Sequence, residues 1–429
     1  MFAKKLLTLF AFLLLVFPQL QAAHWPRFSQ KYQLTQVVVL SRHNIRSPLS
    51  GNGSALAQLT PHKWFTWTSG PSELSLRGGE LETLFGQYFR QWLVAEKLMT
   101  ENYIPKPQEM RFYANSMQRT IATAQYFSSG MLPVANVRIE HHYDLNKMDP
   151  MFEPRFTFMT LPYKQLALSQ IKQMGGEKGL QGIGESLQQE YTLLEDVLDL
   201  EQSEKAKKEN FSFFRTDDLQ IILENFKEPT MKGSLKSANQ ASDAFILQYY
   251  EEEDPLKAAF GHTISAEQWE QIARIKDVYG DVLFTAPAVA VNVAHPLLKE
   301  ISKELTRKNR KFTFLCGHDS NIGSLLAALD AEPYDLPNSI EKKTPIGSKL
   351  VWAKWKDING NEYVSLDLVY QTTQQLQNRT MLSLDTPPAV FSLKLKNLPT
   401  NADGLYKLSD MQRRFREAIE QYKILKKIK

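Results

Sequence analysis

The stretch from Arg42 to Pro48, with the sequence RHNIRSP, places a histidine between two arginines. The planar, permanently charged guanidinium groups of Arg42 and Arg46 suit the non-bridging oxygens of a phosphate, so the stretch predicts an anion site. Their charge disfavours a protonated imidazole and lowers the pKa of His43. A neutral imidazole beside a bound phosphoryl group is a nucleophile, and its attack on phosphorus would form a phosphohistidine that water then hydrolyses.

A second polar stretch, from Gly317 to Asn321 with the sequence GHDSN, could supply the proton that the leaving group needs. Asp319 can donate this proton if a neighbouring phosphate anion raises its pKa above the usual value of about 4, which predicts an acidic optimum. The alternative is a plain helix start in which Asp319 or Ser320 caps a helix that begins around Asn321. Capping and catalysis are compatible at this position.

Both polar stretches follow short apolar runs, at 37–40 and 312–316, which predict buried parallel strands. Ligands of open α/β sheets bind at the carboxyl ends of the strands, so His43 and His318 could share one cleft. The second run contains Cys316, the only cysteine of the chain. We predict a buried, inert thiol there and no intramolecular disulfide.

The chain between the two strands, roughly 144–279, is charged and shows apolar residues at helical spacing. Strand character returns at 349–355 and 363–370, with Asn359-Gly360 between them as a hairpin signal. We therefore predict an α/β fold in which a mostly parallel central sheet is flanked by helices. Residues 24–143 and 285–429 form this domain, and residues 144–284 are inserted as a helical cap domain.

The N-terminus has the pattern of an export signal, because two lysines precede a short apolar run and the small pair Ala22-Ala23 follows it. The run is too short to span a bilayer. We expect residues 1–23 to be removed near Ala22 or Ala23 and the mature protein to be soluble, without a membrane anchor. Loss of the two lysines leaves 49 basic residues against 47 acidic ones. This near-neutral balance does not favour nucleic-acid binding.

The RHNIRSP stretch resembles the RHGxRxP signature of the histidine acid phosphatases, and His318-Asp319 resembles their distal HD pair. Asn44 stands where most members have glycine, and in this it matches the branch of bacterial periplasmic glucose-1-phosphatases. Residues 114–127, 242–251 and 344–347 are also similar to that branch, so the resemblance covers most of the mature chain.

The resemblance implies an exported acid phosphatase without a metal or other cofactor, in which a cap domain covers the cleft. It also implies that Arg119 is a third phosphate-binding arginine, that His318 is a further donor to the phosphate, and that residues 76–79 let a helix pass close to the active-site loop. A cap glutamate of the branch reaches the sugar hydroxyls, and the matching stretch makes Glu228 the candidate. The expected substrate is glucose 1-phosphate, a small phosphomonoester.

Two other functions stay open, a phytase or broad-specificity phosphatase with the same catalytic residues and a non-catalytic anion-binding protein. A phytate pocket would need more basic residues on the cap domain.

Two further features have structural interpretations. His141 and His142 are adjacent and lack chelating spacing, so no metal is predicted there. Residues 64–67, with two tryptophans, either line the rim of the cleft or pack internally.

Overall fold

The structure is a computed structural model that describes residues 31–49, 56–213, 215 and 217–428. The predicted export signal, residues 1–23, lies outside the described residues. Within the described part of the chain, no helix is long and apolar enough to cross a membrane.

The described residues form nine strands. These are β1 (Tyr32–Arg42), β2 (Met110–Ala114), β3 (Gln220–Ile222), β4 (Thr230–Lys232), β5 (Phe312–Gly317), β6 (Lys349–Asp357), β7 (Glu362–Tyr370), β8 (Ala389–Ser392) and β9 (Tyr406–Lys407).

Fourteen α-helices occur in the same residues. These are α1 (Leu76–Ala95), α2 (Gln118–Met131), α3 (Leu161–Gln173), α4 (Leu180–Glu185), α5 (Gln188–Leu198), α6 (Glu204–Glu209), α7 (Ser234–Glu251), α8 (Pro255–Ala258), α9 (Ala266–Phe284), α10 (Pro287–Val293), α11 (His295–Glu304), α12 (Asp319–Ala328), α13 (Thr373–Asn378) and α14 (Leu408–Lys426).

The central sheet has seven strands in the order β2-β5-β1-β6-β7-β8, and β9 pairs with β7. The predicted α/β class is confirmed, but the prediction of a mostly parallel sheet is wrong. Only the β1–β5 and β2–β5 ladders are parallel, whereas β6, β7, β8 and β9 pair antiparallel. For β6 and β7 the cause is the short connection at Asn359-Gly360, which can join only antiparallel neighbours. Gly360 has a φ of 86°, as this predicted turn requires.

The three parallel strands end side by side. Arg42 of β1 is paired with Gly317 of β5, and Ala114 of β2 is paired with Cys316. The residues that follow, among them His43 and His318, therefore leave the sheet at one edge. Strand β1 is buried on both faces because alternate side chains enter different apolar cores.

The chain from α3 to α9 packs around an apolar core that it shares with residues of the sheet domain, among them Ile45, Leu81 and Ile346. The hairpin β3–β4, which the sequence analysis did not predict, also contributes to this core. Trp64 joins this core and contacts Phe245 and Phe260 at ring-centroid distances of 5.4 and 5.1 Å. Residues 64–67 thus pack against the helical segment. The limits of the predicted domains, residues 143/144 and 284/285, stay predictions.

Helix α1 passes very close to the loop after β1. Its N-cap, Ser75, accepts a hydrogen bond from the backbone N–H of Gly78. A Cβ atom on Gly78 would lie 2.4 Å from the carbonyl oxygen of Ile45, which no side chain can tolerate. The glycine is therefore required for the close approach, the structural role that we predicted for residues 76–79.

Candidate active site

His43 lies directly after β1 and is 4% exposed. Its backbone N–H donates to the carbonyl of Gly317, and its own carbonyl accepts from Gly347. Its Nδ1 lies 2.9 Å from the carbonyl oxygen of Asn44. Because a carbonyl oxygen can only accept, Nδ1 carries the proton and Nε2 keeps its lone pair. The ring is held as a neutral imidazole with Nε2 as the reactive atom.

The pKa of His43 is lowered well below its usual value, mainly by burial and then by Arg119 and Arg46. The sequence argument assigned the effect to the flanking arginines, but burial is the larger cause. Arg119 is distant in sequence and yet ranks ahead of both neighbours. His43 is therefore uncharged even in acidic medium.

Three buried arginines surround this imidazole. Arg46 and Arg119 line the cleft, whereas Arg42 lies behind the cleft wall. Each of the three has a buried Nε–H without an acceptor among the described residues. Burial and the neighbouring charge of Arg46 lower the pKa of Arg119 to about 10. A bound anion would accept from Arg46 and Arg119 and relieve the repulsion among all three charges, so the cluster is suited to phosphate.

Side chains from other segments fix the directions of these arginines. Arg46 pairs with Asp243 of α7 at 2.9 Å, and Arg119 donates to the hydroxyl of Ser72 at 2.6 Å. Both interactions are short and partly buried. The guanidinium groups are thus held in place before an anion arrives.

Arg42 is held by Glu341, which is almost completely buried. The Nη1 of Arg42 lies 2.7 Å from a Glu341 oxygen, and Lys276 of α9 lies 2.6 Å from the same oxygen. Glu341 also accepts from the backbone N–H of Ile346. Because one carboxylate joins two cations, Glu341 determines where both positive charges lie.

His318 directly follows β5, and its ring contacts that of His43, with the centroids 5.5 Å apart. Its Nε2 lies 2.7 Å from Nδ2 of Asn115, the residue after β2. The amide oxygen of Asn115 accepts from the backbone N–H of Asp149, so its nitrogen must face His318. His318 Nε2 therefore accepts, and the proton is on Nδ1, from which it can be donated to a phosphate oxygen.

Asp319 is the first residue of α12, and the N-cap is His318 rather than Asp319 or Ser320. Its side chain is 39% exposed, with Oδ2 3.5 Å from Arg42 and 3.6 Å from Lys276. Loss of solvent around the carboxylate disfavours its ionised form, but the charges of Arg42 and Lys276 outweigh this effect and hold the pKa of Asp319 below the usual range. Asp319 is therefore ionised until an anion offsets those cations.

The cleft has a volume of about 690 Å³ and lies between the sheet edge and the helical segment. It brings together every predicted site residue except Arg42. The sheet side contributes His43, Arg46, Arg119, His318 and Asp319, and the helical side contributes Glu228, Asn239, Asp243, Lys276 and Tyr279.

Glu228 stands on the loop before β4, and its side chain is exposed in the cleft. Loss of solvent around the carboxylate raises the pKa of Glu228 to about 7, and repulsion by the charge of Glu153 raises it in the same direction. In acidic medium the protonated carboxyl can both donate and accept hydrogen bonds. These are the contacts that a sugar hydroxyl requires.

Asn44 does not line the cleft. It is fully buried, and its amide nitrogen donates to Glu82, which forms a buried ion pair with Lys349 at 2.8 Å. Its amide oxygen accepts from the backbone N–H of Ile45. Asn44 therefore stabilises the loop after β1. Although Asn44 matches the glucose-1-phosphatase branch in sequence, it does not line the cleft and so does not select the sugar by direct contact.

Sequence reasoning missed Asn115, Asp243, Glu341 and Lys276. The first two lie inside stretches that already resembled the phosphatase family, and Glu341 lies three residues before another. No pattern marked Lys276, because its position depends on how α9 packs. The excess of positive charge around His43 opposes a metal cation there and favours an anion.

We predict that Arg119→Gln weakens the binding of inorganic phosphate by roughly 10- to 100-fold, since hydrogen bonds to charged groups contribute about 1.5–3 kcal/mol. Isothermal titration calorimetry would measure this loss. The matched control is Arg274→Gln, because Arg274 is half exposed and pairs with Glu190 away from the cleft. Equal phosphate affinities of the two variants would contradict the assignment of Arg119.

Comparison with known proteins agrees with this site. Residues 33–371 match the family model of the histidine phosphatase superfamily (branch 2). The chain is 39% identical to a glucose-1-phosphatase of Providencia rettgeri, over 90% of this chain and 92% of that protein. It is 40% identical to a glucose-1-phosphatase of Salmonella typhimurium, over 87% and 89% of the two chains.

The structure is similar to that of the phytase from Citrobacter braakii, with a TM-score of 0.82 and 27% identity over 90% of this chain and 98% of the phytase. Family model, relatives and structure all cover most of the described residues. The chain belongs to branch 2 of the histidine phosphatase superfamily and is a hydrolase of the histidine acid phosphatase type.

Proposed function

We propose that this chain is an exported acid phosphatase that hydrolyses glucose 1-phosphate through a phosphohistidine on His43. The observation that carries the proposal is a neutral histidine with a free Nε2 among three buried arginines. Arg46, Arg119 and Nδ1–H of His318 bind the phosphate oxygens, and Arg42 adds positive charge from behind. The steps below use only side chains of the protein and require no metal ion.

In the first step, Nε2 of His43 attacks phosphorus as the bond from phosphorus to the sugar oxygen breaks. The electron pair of that bond goes to the sugar oxygen, which takes a proton from Asp319 and leaves as glucose. The arginines stabilise the charge on the equatorial oxygens.

In the second step, water attacks the phosphohistidine and the P–N bond breaks. The Asp319 carboxylate now accepts a proton from the water, so that phosphate leaves and the original state is restored. The bound phosphate offsets Arg42 and Lys276, which raises the pKa of Asp319 enough for it to donate in the first step.

The charge of the helical wall supports a substrate with one phosphate group. Between residues 228 and 284 the cleft is lined by four acidic side chains, Glu228, Asp243, Asp277 and Asp281, and by a single basic one, Lys276. Burial raises the pKa of Asp277 to about 7 and that of Asp281 to about 6, so both are largely neutral in acid. When these two acids are neutral, Lys276 still does not attract a second phosphate group, because it is already paired with Glu341.

A phytase is the second candidate, because the structure resembles a phytase over most of its length. Phytate carries six phosphate groups, and those that face the helical wall would meet Lys276 as its single basic side chain, already paired with Glu341. The other two lysines that line the cleft, Lys343 and Lys396, are paired with Asp335 and Asp330. A non-catalytic anion-binding protein would not need the free Nε2 of His43 or Asp319. The glucose-1-phosphatase relatives also favour a sugar phosphate. Export and a periplasmic location are proposed from the sequence of residues 1–23.

The mature protein should release phosphate from glucose 1-phosphate in the presence of EDTA, faster than from glucose 6-phosphate or phytate. Activity should fall as the pH rises through the pKa of Asp319 in the complex, because only its protonated form donates. Comparison of kcat/KM for the three substrates tests the preference, and the profile of kcat for glucose 1-phosphate from acidic to neutral pH tests the titration of Asp319 in the complex. A preference for phytate would overturn the substrate, and a lack of release from all three would overturn the enzymatic function.

Lys276→Gln should move the basic limb of the kcat profile to higher pH by roughly one unit. The charge at 3.6 Å lowers the pKa of Asp319, and an opposite charge at such a distance shifts a pKa by about 1–3 units. Removing it raises that pKa, so the protonated acid persists to higher pH. Lys342→Gln is the control, since Lys342 pairs with Glu270 instead. An unmoved limb in Lys276→Gln would refute this role.

Glu228→Ala should lower kcat/KM for glucose 1-phosphate in acidic medium by about 10- to 100-fold, as expected for the loss of two hydrogen bonds of a neutral carboxyl at about 0.5–1.5 kcal/mol each. Hydrolysis of a small aryl phosphate, which has no sugar hydroxyls, should change little. Glu224→Ala serves as the control, because Glu224 pairs with Lys227 on the same loop and does not line the cleft. A parallel loss for both substrates would show that Glu228 does not recognise the sugar.

A further inference from the structure

A second cluster of polar side chains lies outside the cleft and takes no part in the chemistry above. Nε2 of His62 is 2.6 Å from Oδ2 of Asp199, and Nε2 of His262 is 3.2 Å from the same oxygen. One nitrogen or oxygen from each residue lies within 4.8 Å of the other two. Among the described residues, this is the only group of three His, Cys, Asp or Glu side chains with such spacing.

We propose that His62, Asp199 and His262 form a binding site for a divalent transition-metal ion of the Zn²⁺ class. Two imidazole nitrogens and one carboxylate oxygen form a ligand set that zinc takes at about 2.0–2.2 Å, with water as the fourth ligand. Tetrahedral ligands at those bond lengths lie roughly 3.3 Å apart. The separation of 3.2 Å already fits, and the shorter one would open by a small side-chain rotation.

The proton balance of binding is simple. A neutral imidazole that now donates from Nε2 must move its proton to Nδ1, so that the Nε2 lone pair can bind the ion. If a histidine is protonated, the ion displaces one proton from it.

The position of Asp199 favours a cation. It follows the last residue of α5 in a left-handed conformation with φ 48°. The carbonyl end of a helix carries partial negative charge, which adds to that of the carboxylate.

The three ligands are far apart in sequence, and the ion would connect three segments. His62 precedes α1, Asp199 directly follows α5, and His262 lies between α8 and α9. The ring of His62 also stacks on Phe260 at 5.0 Å. The only cysteine is buried and free, so no intramolecular disulfide can cross-link these segments. The ion would fasten the N-terminal segment to the helical segment, and its role would be structural.

The affinity for zinc can be measured on the tag-free mature protein at neutral pH by competition with a chromophoric chelator. Wild type should bind one ion, and its midpoint of thermal unfolding should rise by a few degrees with zinc. Asp199→Asn keeps the shape of the side chain and removes its charge. This variant should bind zinc about 100-fold more weakly, because replacing even a residue that only supports a metal ligand lowers metal affinity by about 10- to 100-fold. The double variant His62→Ala/His262→Ala should lose the site.

The matched control is His141→Ala/His142→Ala, which removes two exposed histidines from elsewhere and should bind zinc as wild type does. Loss of binding in this control, or equal binding by wild type and Asp199→Asn, would overturn the proposal. Failure of the wild-type protein to bind zinc in the competition experiment would also overturn it. The visible spectrum of bound Co²⁺ gives a check on wild type that does not depend on the folding of any variant. Phosphate release in EDTA should persist, which keeps this test separate from that of the proposed function.

Discussion

The burial of three guanidinium groups around one uncharged imidazole is the constraint on which the site depends. Buried like charges repel, and each charge removed from water costs several kcal/mol unless it is paired. The protein pairs Arg42 with Glu341 and Arg46 with Asp243, but it leaves Arg119 with only a neutral hydroxyl. The remaining positive charge is what a phosphate dianion neutralises. The same field keeps His43 neutral and its nitrogen available.

The sheet supplies the geometry that makes this arrangement possible. Pairing of Arg42 with Gly317 places His43 beside His318, and pairing of Ala114 with Cys316 brings Asn115 to the same edge. Each histidine is then set in one tautomer by a neighbour, His43 by the carbonyl of Asn44 and His318 by the amide of Asn115. One ring therefore presents a lone pair and the other a proton.

The sequence predicted those parts of the site that are local. His43 and His318 could be placed together because each follows an apolar strand, and parallel strands carry ligands at one edge. Arg119 and Glu228 were assigned by resemblance, and the structure places both in the cleft, although their roles stay predictions. Glu341 and Lys276 could not be predicted, because they act through tertiary contacts that no spacing reveals. The hairpin of β6 and β7 was predicted from Asn359-Gly360, but the antiparallel pairing of β6 with β1 and of β7 with β8 and β9 was not, since strand propensity does not encode pairing direction.

The most direct test of the mechanism is a rapid-quench experiment with glucose 1-phosphate labelled in its phosphate group. Label should appear on the enzyme within one turnover, in an acid-labile and alkali-stable bond on the peptide that contains His43, and it should be absent from a folded His43→Ala variant. Turnover by that variant, or a label on any other residue, would contradict the account.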